Sequence, residues 1–318
     1  MSILETANVF VTGGAGTLGH AIAKRRKKEG WSGRMTVYST SNHNHARMRM
    51  LYPDIQYVQG DIRNPTTLYN AMVGHDIVIH AAAVKVIPDS ELYSIDTFDV
   101  NVNGSLVVYD CAARANIAHV LSISTDKACH AANAYGASKM MMEKASQEYS
   151  RIDGIKTSFH LVRYGNVLES SGSVIEAWKK AQMRGDKLKI TDPEMTRFWL
   201  SPSRAVDYVK QALTYRSGVI LVPEMPSLKI GKLLEYVTDG DYETERIPLR
   251  PGEKMHETLV TVEECDYANY SKGKFYLISP TYAGRNLMLE IGFSAPPVLS
   301  SDIAKELSKS DLLRLLDE

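Results

Sequence analysis

The stretch Thr12-Gly13-Gly14-Ala15-Gly16-Thr17-Leu18-Gly19 directly follows the apolar run Asn8–Val11 and opens a segment of helical periodicity. Glycines at 13, 16 and 19 permit a tight turn, the close approach of a pyrophosphate and tight helix–strand packing. A helix starting there turns its N–H-rich end toward the anion. A glycine triplet alone is as compatible with a plain turn, but the strand before it and the helix after it point to a dinucleotide held by Gly13, Gly16, Thr17, Leu18 and Gly19. The basic run Lys24–Lys28 behind it reads as a solvated helix face.

Outward from this loop, short β-rich runs recur at Asn8–Thr12, Met35–Tyr38, Ile55–Gln59, Asp76–His80, His119–Ser124 and Thr157–Arg163, separated by helical periodicity. That alternation predicts a doubly wound α/β fold with a parallel sheet, and Ile77-Val78-Ile79, apolar throughout, suits a strand covered on both faces. Long helices are expected over Ile95–Ala115 and from about Tyr135 to Tyr149, with Met140, Met141 and Met142 on the packed side of the second. Beyond Arg163 glycines and prolines multiply between shorter helices near Ser173–Met183, Ser203–Tyr215 and Lys229–Val237, and Asp302–Leu315 reads as an amphipathic helix. The expected division is a nucleotide-binding Rossmann domain over 1–165 and mainly a substrate-binding cap over 166–318, with elements returning to the first domain.

Lys plus Arg and Asp plus Glu both number 37, so no net field exists to hold a nucleic acid or an anionic membrane. No apolar stretch reaches the length of a bilayer span; the longest, from Asp76 to Pro88, is broken by His80 and Lys85. Cys111, Cys129 and Cys265 lie far apart, which suits a reducing compartment and supports neither a disulfide framework nor a metal site. A cytoplasmic protein is expected.

The second strand ends at Tyr38, where an NAD-binding protein usually places a carboxylate against the ribose 2′-hydroxyl. Ser39-Thr40-Ser41 stands there instead, and hydroxyls with nearby Arg47 accept a 2′-phosphate that a carboxylate would repel, so NADP is expected over NAD. Asp61 and Ile62 follow the third strand, in position to meet the adenine, and Ala81, Ala82 and Ala83 after the fourth leave room for the dinucleotide backbone.

Ser124-Thr125-Asp126-Lys127 ends the fifth strand, and Tyr135 and Lys139, four apart, project from one face of the next helix. An ammonium beside a phenol stabilises the phenolate, so Tyr135 is expected as a base with Lys139 lowering its pKa and holding the nicotinamide ribose.

These motifs, with Arg163-Tyr164-Gly165-Asn166-Val167, Thr191-Asp192-Pro193-Glu194-Met195-Thr196-Arg197-Phe198-Trp199 and Arg250-Pro251-Gly252-Glu253-Lys254-Met255-His256-Glu257, resemble the extended short-chain dehydrogenase/reductases, specifically the UDP-N-acetylglucosamine 4,6-dehydratases. The presence of Tyr135 resembles the C5-inverting branch that begins pseudaminic acid synthesis. The resemblance implies that Tyr135 takes the sugar O4 proton while the C4 hydride passes to the cofactor. It further implies that Lys127 removes the C5 proton, Asp126 protonates the departing C6 hydroxyl, and Thr125 hydrogen-bonds the O4 region. Asn101 is implied as the helix asparagine supporting the active-site lysine, Lys85 as a lysine facing the sugar, and Asn166, Arg197, Arg250 and Lys254 as donors to the sugar-nucleotide phosphates with Glu253 nearby. For Phe198 and Trp199 core burial is the expectation.

The chain departs from the family at Lys127-Ala128-Cys129-His130-Ala131-Ala132-Asn133, which lacks a stiffening proline, and Cys129-His130 reads as loop filler. His43 and His45 replace the usual basic pattern after the second strand. Competing readings on the same scaffold are a nucleotide-sugar epimerase, a 5,6-dehydratase that stops at an unsaturated sugar, and a non-catalytic NADP-binding regulator. The partners implied are a UDP-sugar and further copies of the chain in a homo-oligomer.

Overall fold

The computed structural model describes residues 2–170, 172–238, 240, 242–279 and 297–318. Among them, strands β1 (Val9–Thr12), β2 (Met35–Ser39), β3 (Gln56–Gln59), β4 (Ile77–His80), β5 (His119–Thr125) and β6 (Ser158–Tyr164) stand in one parallel sheet in the order β6-β5-β4-β1-β2-β3. The strand order reverses between β1 and β4, and in such sheets ligands bind at the carboxyl ends beside that point. Thr12 at the end of β1 and Thr125 at the end of β5 therefore sit on the same edge.

The sheet does not end where the first domain was expected to end. Ile220–Pro223 pairs in parallel with β6, and Phe275–Ile278 and Ala268–Ser271 continue the sheet antiparallel, making nine strands. One apolar core runs through both halves of the chain, from Phe10, Val37 and Ile79 to Val222 and Leu277, all almost fully buried. A smaller second core, built on Trp178, Trp199, Leu228, Leu233 and Leu312, belongs to the cap. Phe198 and Trp199 are both buried, as their chemistry suggested.

Three helical expectations need correction. The run over Ile95–Ala115 begins earlier and is composite: Ile87–Leu92, Ser94–Phe98, a π-helical turn Asp99–Asn103 and Gly104–Arg114. Of the three methionines in the helix Ala134–Tyr149 only Met142 is buried, whereas Met140 and Met141 are exposed, because consecutive residues on a helix point about 100° apart. The tail is helical only over Lys309–Asp317, where Ser308 caps the start by accepting a hydrogen bond from the Asp311 N–H.

Candidate active site

The glycine loop is closed against the sheet. Gly13 has φ +64°, and a Cβ there would stand 2.7 Å from Ala82 Cα; one at Gly19 would stand 1.8 Å from Gly14 O. The helix Thr17–Glu29 starts from Gly16, where no side chain caps its N-terminus. Ala81 and Ala82 line up beside the loop, and the Ala82 N–H donates to Thr12 Oγ1 at 3.3 Å. These features fit a dinucleotide pyrophosphate: a cradle that any side chain would fill, next to a helix end that offers backbone donors.

At the end of β2 the structure gives each expected residue a setting. Ser39 Oγ hydrogen-bonds His45 Nε2 at 2.7 Å, and His45 is buried. Thr40 and Arg47 are exposed, and Arg47 shares a groove of about 780 Å³ with Gly16, Thr17, His20 and Asn44. Asp61 is held by Arg63 at 2.7 Å, and Ile62 is buried against Gly104. No carboxylate stands at the end of the strand.

Asn101, on the π-helical turn, is buried and fully engaged. Its Oδ1 accepts from the Val84 N–H at 2.8 Å, and its Nδ2 donates to Val84 O and to Ser138 Oγ, each at 2.9 Å. It thus clips the segment Ala81–Lys85 to the helix that carries Tyr135 and Lys139. The π turn, a geometry frequent at functional sites, accompanies that inward aim. Lys85, next along, is exposed, with Glu176 as the charge facing it.

Around the end of β5 the chain tightens into one turn, Asp126–Ala128. Thr125 Oγ1 donates to Asp126 Oδ1 at 2.8 Å. Lys127 Nζ donates to Asp126 Oδ1 and to Asn166 Oδ1, each at 3.0 Å, and approaches Glu257 Oε1 at 3.7 Å. Asp126 is fully buried, and its Oδ2 has no hydrogen-bond partner. The Tyr135 helix comes in against this turn: Asn133 caps it by accepting from the Gly136 N–H at 2.8 Å, and a Cβ at Gly136 would stand 2.2 Å from Lys127 O.

Electrostatics differ from the expectation at two places. Burial raises the Tyr135 phenol, opposed by the charge of Lys127 and a hydrogen bond with Thr125. The lysine felt by the phenol is thus Lys127, and Lys139, pulled down to about 8 by burial, is not the group that offsets it. Lys139 is 4% exposed and donates to the Met142 thioether at 3.0 Å, a weak acceptor. Burial also lowers Lys127, but the carboxylates of Asp126 and Glu257 outweigh it, and its ammonium lies above the ordinary lysine range.

The cap closes over this turn through the loop carrying Arg250–Glu257. Asn133 Nδ2 donates to Gly252 O at 2.9 Å and Lys254 Nζ to Cys129 O at 2.7 Å. The loop from Lys127 to Asn133 is therefore held from outside, without a proline. Arg197, expected at a phosphate, is 6% exposed; it donates to Thr196 O at 2.8 Å, Lys254 O at 2.9 Å and Met255 O at 3.1 Å, so it supports the cap loop. Arg250 is exposed, with its N–H on Glu253 Oε2 at 3.3 Å. Cys129 is no filler: it is buried and lies 3.0 Å from Arg163 Nη1, while His130 beside it is exposed with φ +45°. Glu257, which no spacing singled out, is buried and reaches Lys127, whereas Glu253 does not. Among the described residues no cluster of His, Cys, Asp or Glu is placed to hold a metal, and no helix is long and apolar enough to cross a membrane.

Comparison with known proteins adds the family. Residues 9–280 match the model of a polysaccharide biosynthesis protein family. The chain belongs to this family. Among its relatives, the inverting UDP-N-acetylglucosamine 4,6-dehydratase of Campylobacter jejuni subsp. jejuni serotype O:2 is 34% identical over 279 residues, covering 86% of this chain and 83% of that protein. The UDP-glucose 4-epimerase of Rickettsia bellii is 35% identical over 280 residues, covering 85% and 82%. The X-ray structure of Pen from Bacillus thuringiensis superposes with a TM-score of 0.88 at 27% identity, covering 98% of both chains. DesIV, a dTDP-glucose 4,6-dehydratase from Streptomyces venezuelae, shares the fold at a TM-score of 0.72 and 19% identity, over 98% of this chain and 96% of that one. The doubly wound α/β fold with its parallel sheet, and the resemblance to the extended short-chain dehydrogenase/reductases and among them the UDP-N-acetylglucosamine 4,6-dehydratases, are borne out.

Proposed function

We propose that this protein is a nucleotide-sugar 4,6-dehydratase that converts UDP-N-acetylglucosamine to a UDP-2-acetamido-2,6-dideoxy-4-hexulose, with inversion at C5 and NADP as cofactor. The observation that carries the reading is the convergence of Tyr135, Asp126 and Lys127 at the end of β5. An epimerase needs the tyrosine to oxidise and reduce C4, but has no use for a buried acid and amine in contact beside it.

The bound nicotinamide supplies hydride acceptance at C4 and hydride return at C6. Tyr135, once ionised, accepts the O4 proton, and Thr125 and Lys127 support the phenolate. The resulting ketone acidifies C5–H. Lys127 Nζ and Asp126 Oδ1, in contact at 3.0 Å, then provide both groups for elimination by one internal transfer. When the ammonium proton moves to the carboxylate, the pair becomes an amine and a carboxylic acid. The amine takes the C5 proton and the acid protonates O6; C5–H and C6–O break, C5=C6 forms, and water leaves. As hydride reaches C6, C5 takes a proton on the face opposite Lys127, which gives inversion; the proton that Tyr135 accepted from O4 balances this step, and its release restores the phenolate.

Gly13, Gly16, Thr17, Leu18 and Gly19 cradle the pyrophosphate in this reading, Asp61 and Ile62 border the adenine, and Ala81, Ala82 and Ala83 the dinucleotide backbone. Thr40 and Arg47 meet the 2′-phosphate; Ser39 serves through His45. Lys139 holds the nicotinamide ribose and Asn101 fixes the walls around it. Lys85 faces the sugar, and Arg250 rather than the engaged Arg197 meets the UDP phosphates, with Asn166 orienting Lys127 and Glu253 setting the Arg250 backbone. Exposed Leu92, Tyr93, Ile95 and Phe98, with Met140 and Met141 on the adjacent helix, support pairing with a second copy of the chain. The even charge balance and the free thiols of Cys111, Cys129 and Cys265 support a cytoplasmic setting.

Mass spectrometry of UDP-N-acetylglucosamine incubated with the NADP-loaded enzyme tests the reading. Loss of one water is the expected result; a sugar of unchanged mass with altered configuration at C4 would make the protein an epimerase.

A further inference from the structure

Glu257 lies at the end of the cap loop, 3% exposed, yet among the described residues no hydrogen-bond donor reaches its buried Oε2. Cations surround it at ion-pair distance: Lys127 at 3.7 Å from β5's turn, Lys254 at 3.8 Å from its own loop and Arg197 at 4.0 Å from the strand Thr196–Leu200. Arg197 and Lys254 are already committed, the first to backbone carbonyls and the second to Cys129 O. Lys127 is the member of this set with reactive neighbours. Its ammonium lies between Asp126 on its own turn and Glu257 on the cap, with Asn166 as a neutral acceptor, Arg197 as a repelling charge and the Tyr135 phenol beside it. The backbone of Glu257 is fixed independently: its N–H donates to Ser301 Oγ at 2.8 Å, and its carbonyl accepts from the Ser301 N–H at 2.8 Å. The carboxylate is thereby aimed at Lys127 by a separate part of the fold.

We propose that Glu257 is a positioning residue that centres Lys127 between two carboxylates and holds it as an ammonium ion through the oxidation step, so that elimination follows oxidation. The steps it orders rest on the dehydratase reading. While both carboxylates are ionised, the proton stays on Lys127, where its charge aids ionisation of Tyr135. The transfer to Asp126 that creates the amine and the acid is then the slower event. An opposite charge within about 4–6 Å moves a titration by roughly 1–3 pH units, so removing that of Glu257 has a measurable consequence even with Asp126 in place.

The test uses the full-length, NADP-loaded enzyme and the variants Glu257→Gln and Glu257→Asp. Lysine labelled with ¹³C and ¹⁵N reports the titration of Lys127, its signal assigned by its loss in Lys127→Arg. Glu257→Gln is expected to lower the Lys127 titration by about one pH unit or more, and Glu257→Asp to restore most of it. In the same preparations, exchange of the C5 hydrogen in deuterated buffer is expected to begin at correspondingly lower pH in Glu257→Gln, while nicotinamide reduction becomes slower. An unchanged Lys127 titration overturns the inference whatever the enzyme's substrate. Equal loss of nicotinamide reduction and C5 exchange at every pH also overturns it, because that is what mere loss of structure produces. If the wild type expels no water while the Lys127 titration shifts as stated, the dehydratase reading fails and the charge-holding role of Glu257 stands.

Discussion

Two buried charge clusters lie on either side of Cys129, and they are built to opposite rules. In the first, Arg163 joins Glu143 at 2.6 Å and Glu264 at 2.8 Å, and also donates to Leu259 O at 2.9 Å. Ser124 adds a hydrogen bond to Glu143 at 2.5 Å. Every oxygen of the two carboxylates has a partner among the described residues, and Arg163, though buried, is held charged by them. In the second, around Lys127, one oxygen of Asp126 and one of Glu257 are buried with no hydrogen-bond partner among the described residues. A satisfied network fixes a fold; an unsatisfied one stores free energy that a reaction can release. The first cluster ties β6, the Tyr135 helix and the Thr258–Val260 region together, and the second holds the groups through which the proposed elimination would move protons.

Breaking each cluster in turn sharpens the contrast. Arg163→Met strands two buried carboxylates and is expected to cost about 3–5 kcal/mol in denaturant unfolding. Asp126→Asn, which removes a half-partnered carboxylate from the other cluster, is expected to cost about 1 kcal/mol or less while lowering turnover by roughly 10²–10⁴. Equal stability losses in the two variants would erase the distinction.

Lys139 extends the contrast to a lone charge. Its folded-state value of about 8 lies below that of an unfolded lysine, so the penalty for burying its charge is fully present below about pH 8 and is relieved as pH rises toward 10.5. In cofactor-free protein, Lys139→Met is therefore expected to be more stable than wild type at pH 7, by roughly 3 kcal/mol, and to lose that advantage at high pH. A variant that is less stable at pH 7 would show that Lys139 is satisfied in a way its thioether contact does not provide.

A smaller effect is expected where the cap meets the catalytic turn. Gly252 has φ +72°, and a Cβ there would stand 2.6 Å from Asn133 Cβ. Gly252→Ala is expected to cost about 1–2 kcal/mol of stability and to raise KM for the sugar nucleotide, because the loop backs away from Asn133. An unchanged KM would mean that the cap loop does not set the site.

What was legible in the sequence was local. The β1 loop announces itself because glycines at fixed offsets between a strand and a helix have few other uses, and Tyr135 and Lys139 because a spacing of four puts them on one helical face. Asp126 and Lys127 were singled out by the resemblance that Ser124-Thr125-Asp126-Lys127 carries, not by their spacing. Glu257 was not, since its importance comes from a cap loop folded back over more than a hundred residues of chain onto Lys127. The same holds for Arg197, whose burial under that loop redirects its donors from a phosphate to carbonyls. Cys129 looked idle until the loop around it was seen to bridge the two charge clusters. That elements return to the first domain was expected, but which strands do so was hidden, because they are short and follow loops rich in proline and glycine.

The most direct test of the account is NMR of the product formed from UDP-N-acetylglucosamine by the NADP-loaded enzyme in deuterated water. A 4-keto-6-deoxy sugar with deuterium at C5 and inverted configuration there is the result expected from Tyr135, Asp126 and Lys127 acting in sequence. A C4 epimer that keeps its C6 hydroxyl and its C5 hydrogen, or a 5,6-unsaturated sugar that keeps a C4 hydroxyl, would contradict it.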